Sequence, residues 1–177
     1  MINLNGIKGK VREWEIHDSQ RGYFAYHLYL NMVENEKVWL LTGDLGFKMF
    51  DPHFEDLPGR CVNTGASEQS LFDIAVGLAL EGKIPFCYSI TPFLLWRPAE
   101  TIRLYLNHES IPVKLVGSGR DEDYSHDGFS HNARDTRDFL KQFPNIVDLW
   151  PNKKEEIGDM VKEMVENGKP TFISLTR

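Results

Sequence analysis

A chain of 177 residues is long enough to bury roughly two thirds of its unfolded surface around one core without disulfide staples. Its net charge of -6 argues against a binder of nucleic-acid phosphates, which shows a basic excess, and its longest apolar run, "FLLW", falls far short of the ~20 residues that cross a bilayer. The two cysteines, Cys61 and Cys87, beside or inside apolar strand-like runs and with no signal-peptide pattern ahead of them, read as thiols of a reducing, cytoplasmic compartment.

In chain order, residues 1–18 lack a clear period and are predicted to form an amino-terminal arm, with one domain over 19–177. Helical patterns are expected at about 19–34, 68–81, 94–107, 132–142 and 153–167. Between them come "VWLLTG" (38–43), "CVNTG" (61–65), "IPFCYSI" (84–90), "VKLVGS" (113–118), "IVDLW" (146–150) and "TFISL" (171–175), all of β type. Strands apolar on both faces, alternating with helices, predict a three-layer α/β sandwich: a mostly parallel sheet of about six strands with helices on both faces. The ligand of such a fold belongs outside the carboxyl ends of the strands.

The strand-to-helix loops hold the unusual residues. Glu68 stands in front of a helix whose residues Leu71, Phe72, Ile74, Ala75, Val76, Leu78, Ala79 and Leu80 predict burial on nearly every side. A carboxylate in a first helical turn is ordinarily favourable helix-dipole electrostatics, worth ~0.3 to 1 kcal/mol. Buried at the sheet edge, the same carboxyl could instead share a proton with a ligand. Loop 117–135 packs three glycines, two histidines, two arginines and five acidic residues into nineteen positions, and loops of that length are generally functional or disordered. Its His126, Asp127 and His131 match no metal-binding spacing and have no cysteine nearby, so no metal site is assigned. His131 is either a solvated loop histidine or one that faces a ligand. Arg21, which opens the first helix, and Arg177, after the last strand, are either solvated or form a fork for phosphate, which arginine grips in bidentate fashion.

Taken together, "NTGASEQSLFDIAVGLALEGKIPF", "DGFSHNARD", "FPNIVDLWPNKKEE" and "KPTFISLTR" resemble, in order, four segments of the pyrimidine-binding domain of transketolase and related thiamine diphosphate enzymes. The resemblance runs from about Arg21 to Arg177. It implies that Glu68 hydrogen-bonds a ring nitrogen of the cofactor's aminopyrimidine and favours the tautomer that activates the thiazolium. It further implies that Asp127 contacts a sugar hydroxyl, that His131 faces the reaction intermediates, and that Arg21, Asp44 and Arg177 lie at the substrate end, the two arginines on a sugar phosphate. The family's aromatic residue against the pyrimidine precedes an arginine or tyrosine by three positions. Counting back from Arg97 gives Leu94, whereas Phe93 is one residue earlier, so Phe93 and Leu94 are both candidates for the ring contact, and Arg97 is expected at the cofactor with them. Where transketolases carry a histidine eight residues before the loop aspartate, this chain has Gly119.

In the family, the cofactor's diphosphate and magnesium are held by another domain through a Gly-Asp-Gly motif, and "TGDLG" at 42–46 is not that motif. The resemblance therefore implies the pyrimidine-binding subunit of a split enzyme that transfers a two-carbon ketol unit between sugars. Its partner would be a diphosphate-binding subunit, in a homodimer or a two-plus-two heterotetramer. The alternatives are a non-catalytic orphan module, or a subunit of a deoxy sugar phosphate synthase or a keto acid decarboxylase or dehydrogenase.

Overall fold

A computed structural model describes residues 15–177. The arm predicted over residues 1–18 thus lies, for residues 1–14, outside the described residues. The others of that stretch lead into α1 (Gln20–Glu34), whose N-cap Ser19 accepts a hydrogen bond from the Gly22 N–H. Six parallel strands follow: β1 (Val38–Thr42), β2 (Cys61–Asn63), β3 (Ile84–Ile90), β4 (Lys114–Ser118), β5 (Val147–Leu149) and β6 (Thr171–Leu175). They form one sheet in the order β2-β1-β3-β4-β6-β5.

Burial on both faces explains why the central strands are apolar throughout. On one face, Phe24, Leu28 and Met32 of α1 and Ile157, Val161 and Met164 of α7 (Ile157–Glu166) cover Val38, Leu40, Phe86, Val116 and Ile173. Each helix repeats its apolar residues three or four apart, which turns one stripe to the sheet. On the other face, α3 (Glu68–Leu80) and the elements after β3 cover Leu41, Cys87, Leu115 and Phe172.

Several elements differ from their sequence expectation. The helix expected at 94–107 is three pieces: α4 (Thr91–Trp96), α5 (Ala99–Thr101) and a π-helical run, Ile102–His108. Pro98, which has no N–H to donate, interrupts it. The helix expected at 132–142 shrinks to α6 (Thr136–Leu140), because Phe129–His131 coils as a 3-10 turn and Ala133 pairs with Asp121 in an isolated antiparallel bridge. A short α2 (Asp51–Asp56), with Pro52 in its first turn, fills the connection after β1. Burial of α3 on nearly every side is also corrected: Leu71, Phe72, Ala75, Val76 and Ala79 face the sheet, while Ile74 and Leu80 are exposed, Leu80 at 68%. They alternate with Ser70, Asp73 and Gly77 on one outer face of the helix.

Candidate functional site

The chain leaves β1 toward β2 on one side and β3 lies on the other, so the strand order reverses at β1. A crevice opens at the carboxyl ends of strands at such a switch point. Two clusters of side chains occupy that edge.

The first surrounds Glu68. As the first residue of α3 it is 3% exposed, and its carboxylate accepts from Ser89 Oγ (3.4 Å), at the end of β3, and from Arg97 Nη1 (2.6 Å). Arg97 follows α4 directly, four residues beyond Phe93, a spacing that sets side chains one above the other on a helix. Its guanidinium carbon lies 4.0 Å from the centre of the Phe93 ring, and the His131 ring packs on the same phenyl at 4.8 Å and 70°. Leu94 points the other way: it is fully buried in the core against α3 and the sheet, so the aromatic face present at this edge is that of Phe93. Phe93 and Arg97 line a recess of about 680 Å³, together with Trp96, Phe129 and Asp135.

The second cluster lines a cavity of about 960 Å³ between the amino end of α1, the loop after β1 and the ends of β3 and β4. Arg21 enters it half-buried. Its Nη1 donates to Tyr124 Oη at 2.7 Å, and its Nε is buried with no hydrogen-bond partner among the described residues. The Tyr124 hydroxyl also lies 3.1 Å from Ser118 Oγ, and Arg177 places its guanidinium carbon 5.6 Å from the Tyr124 ring. Asp123 fixes the loop under this ring: one carboxylate oxygen accepts from the backbone N–H groups of both Arg120 and Arg177. Gly119 makes room, since a Cβ there would stand 2.3 Å from the Tyr124 ring, and its φ of +83 suits glycine. Tyr88, whose phenol burial pushes up, and Asp127, 3.4 Å from His126 Nε2, complete the wall.

The structure therefore gathers Glu68, Phe93, Arg97 and His131 in one group, and Arg21 with Asp127 in the other. Arg177 stands exposed at the rim of the second. Asp44 is set apart: it is exposed in the left-handed region (φ 60), exchanges hydrogen bonds with Asn63, and Leu45 to Met49 line the cavity in its stead. Two residues that no motif marks, Tyr124 and Ser89, belong to the site. A glycine in place of a large residue, followed closely by a tyrosine in a polar loop, is the trace Tyr124 leaves in the sequence. Among the described residues, no three His, Cys, Asp or Glu side chains gather as a metal site.

Chemically, a dry carboxylate beside an aromatic face can share a proton with the edge of a flat nitrogen heterocycle stacked on that face. Gly65 leaves the approach open, with nothing within 4 Å of where a side chain would begin. The residues present thus fit an aminopyrimidine.

A parallel α/β sandwich with such a carboxylate at its switch-point edge defines a class of ligand-binding domain, and over residues 20–177 this chain matches the family described as "Transketolase, pyrimidine binding domain". The chain belongs to that family, and membership implies use of thiamine diphosphate. It is 30% identical over 124 residues to an apulose-4-phosphate transketolase subunit of Actinobacillus succinogenes, covering 70% of this chain and 40% of that protein. It is 28% identical over 180 residues to a putative transketolase C-terminal section of Methanocaldococcus jannaschii, covering 100% of this chain and 54% of that protein. A split-gene transketolase solved as an inactive beta4 tetramer superposes with a TM-score of 0.79 at 28% identity, over 90% of this chain and 51% of that one. The chain spans about half the length of the curated relatives it matches.

Proposed function

We propose that this chain is the pyrimidine-binding subunit of a split transketolase-like enzyme that moves a two-carbon ketol unit between phosphorylated sugars. The observation that carries the proposal is Glu68: a carboxylate 3% exposed, at the switch-point edge, joined to the Phe93 ring through the Arg97 guanidinium. Arg97 pairs its charge at 2.6 Å and is itself 47% exposed, so the buried carboxylate can exchange that partner for a ligand at the edge. Similarity to one subunit of an apulose-4-phosphate transketolase and to a split-gene transketolase supports the division between two chains.

In this role Glu68 holds a proton between its Oε and a ring nitrogen, the α3 packing around it excludes water, and Phe93 orients the ring. Bound thiamine diphosphate would supply a nucleophilic carbon and an electron sink for the sugar carbonyl. His131, whose Nδ1 lies 3.1 Å from Ser130 Oγ, moves a proton to or from the substrate oxygen at its other ring nitrogen. Asp127 takes a sugar hydroxyl, and Arg21 and Arg177 take the phosphate across the Tyr124 ring. Asp44 would join them only by turning away from Asn63. A diphosphate-binding partner subunit would hold the diphosphate and magnesium, in a homodimer or a two-plus-two assembly, within a reducing compartment.

Glu68→Gln keeps the shape and removes the shared proton. In the reconstituted enzyme it is expected to lower turnover by at least ~100-fold, the scale of lost acid-base catalysis, with assembly by size-exclusion chromatography unchanged. Turnover retained at the wild-type level would exclude the assigned role.

A further inference from the structure

Arg97 presents to Glu68 and Phe93 the same two surfaces that a bound pyrimidine would. A guanidinium is planar, carries N–H donors on its rim and stacks on aromatic faces. Here its Nη1 donates to Glu68 Oε2 at 2.6 Å while its central carbon lies 4.0 Å over the Phe93 ring. An amino-bearing heterocycle needs one aromatic face and one carboxylate acceptor at its edge, and these are the groups Arg97 uses. The two cannot be satisfied together. Contact between stacked layers is about 3.5 to 4.0 Å, so at 4.0 Å guanidinium and phenyl touch with no layer between them, and a ring placed between the two would need about twice that. His131 already takes up another part of the same phenyl.

We infer that Arg97 is a positioning residue that stands in for the cofactor's ring, holding Glu68 and Phe93 in binding geometry until the pyrimidine displaces it. The inference rests on the assignment of Glu68 and Phe93 to the pyrimidine site. Three features make displacement feasible. Arg97 is 47% exposed while Glu68 is 3% exposed, so the arginine can leave for solvent by turning its own side chain, with no opening of the core. Ser89 Oγ, 3.4 Å from the other carboxylate oxygen, remains with Glu68 after the arginine has gone. The recess beside Phe93 has Asp135 on its wall as an alternative acceptor for the released guanidinium. The consequence is a tax on affinity: the apparent dissociation constant exceeds the intrinsic one by the inverse of the fraction of molecules in which the arginine is already out.

Thiamine itself, which lacks the diphosphate, is the probe for the full chain, with binding read by calorimetry and by the fluorescence of the neighbouring Trp96. Arg97→Met, neutral and of similar reach, is expected to bind thiamine at least tenfold more tightly than the wild type, and millimolar guanidinium chloride is expected to compete with thiamine in Arg97→Ala. Arg97→Lys, which keeps the charge and loses the flat face, is expected to tighten binding about threefold and covers the case in which Arg97→Met does not fold. Equal or weaker binding by the folded arginine variants, while Phe93→Ala and Glu68→Gln lose binding, would overturn the stand-in and leave the pyrimidine site standing. Failure of every variant to bind, or wild-type binding by Phe93→Ala and Glu68→Gln, would remove the site assignment and the inference with it.

Discussion

Tyr124 ties the two ends of the larger cavity together. Its hydroxyl holds Arg21, its ring lies beneath Arg177, and it occupies space that any residue larger than glycine at position 119 would deny it. The hydroxyl is worth about 1 kcal/mol as a single hydrogen bond, which is about fivefold in an equilibrium constant. Tyr124→Phe is therefore expected to raise the apparent KM for a phosphorylated sugar about fivefold and to leave that for an unphosphorylated sugar unchanged, measured in the reconstituted enzyme. Equal changes for both sugars would detach Tyr124 from the anion. At this scale sequence and structure diverge most. The positions of Glu68 and His131 were legible because ordered motifs surround them: one opens α3 and the other closes a 3-10 turn in the loop after β4. Tyr124 was not, because its contribution depends on the coil of loop 119–131 over β4, which no periodicity encodes. The orientation of Asp44 was not legible for the same kind of reason: a left-handed backbone, which no motif marks, turns it toward Asn63.

α4 shows how one short helix divides its work between neighbours. Leu94 is wholly buried against the sheet, whereas Phe93, one residue and about 100° of helical turn away, faces the recess. Leu94→Ala is expected to cost about 2 to 5 kcal/mol of stability in urea denaturation, through lost burial and the cavity left behind. Phe93→Ala is expected to cost less than about 1.5 kcal/mol of stability and to abolish cofactor binding, since its ring is partly solvated already. A reversed order would mean that Phe93, not Leu94, is the structural member. Most strands were visible in the sequence because burial on both faces forces continuous apolar runs; β3 and β6 keep their expected bounds and the rest shorten by one or two residues where the ladder ends. Helices fared less evenly. α1 and α7 carry the full apolar stripe, while α2 is only six residues and too short to show a period, and Pro98 splits what reads as one helix.

Across the whole molecule, the sheet separates two apolar layers, and His53 lies in one of them with no exposed surface, edge-on to Tyr29 and Phe50. Burial pushes its pKa down to about 3. A folded-state value below the unfolded value of about 6.5 means that the unfolded chain binds the proton first as pH falls. The stability due to neutral His53 is thus fully present above about pH 6.5 and is lost progressively from there toward pH 3, at up to ~1.4 kcal/mol per pH unit. The urea midpoint is expected to fall between pH 7 and pH 5, and His53→Phe is expected to flatten that slope; an unchanged slope would place the acid sensitivity elsewhere. The thiols add nothing in this range, since burial holds Cys61 up at about 12 and Cys87 well above its usual value. Among the described residues no helix is long and apolar enough to cross a membrane.

The division of the cofactor between two subunits is the central claim at this scale, and calorimetric titration of thiamine diphosphate with magnesium tests it most directly, into this chain alone and then into its mixture with a diphosphate-binding transketolase subunit. Binding that becomes tight only in the mixture is the expected result. Equally tight binding by the chain alone would contradict it, because the diphosphate would then have its full set of ligands here.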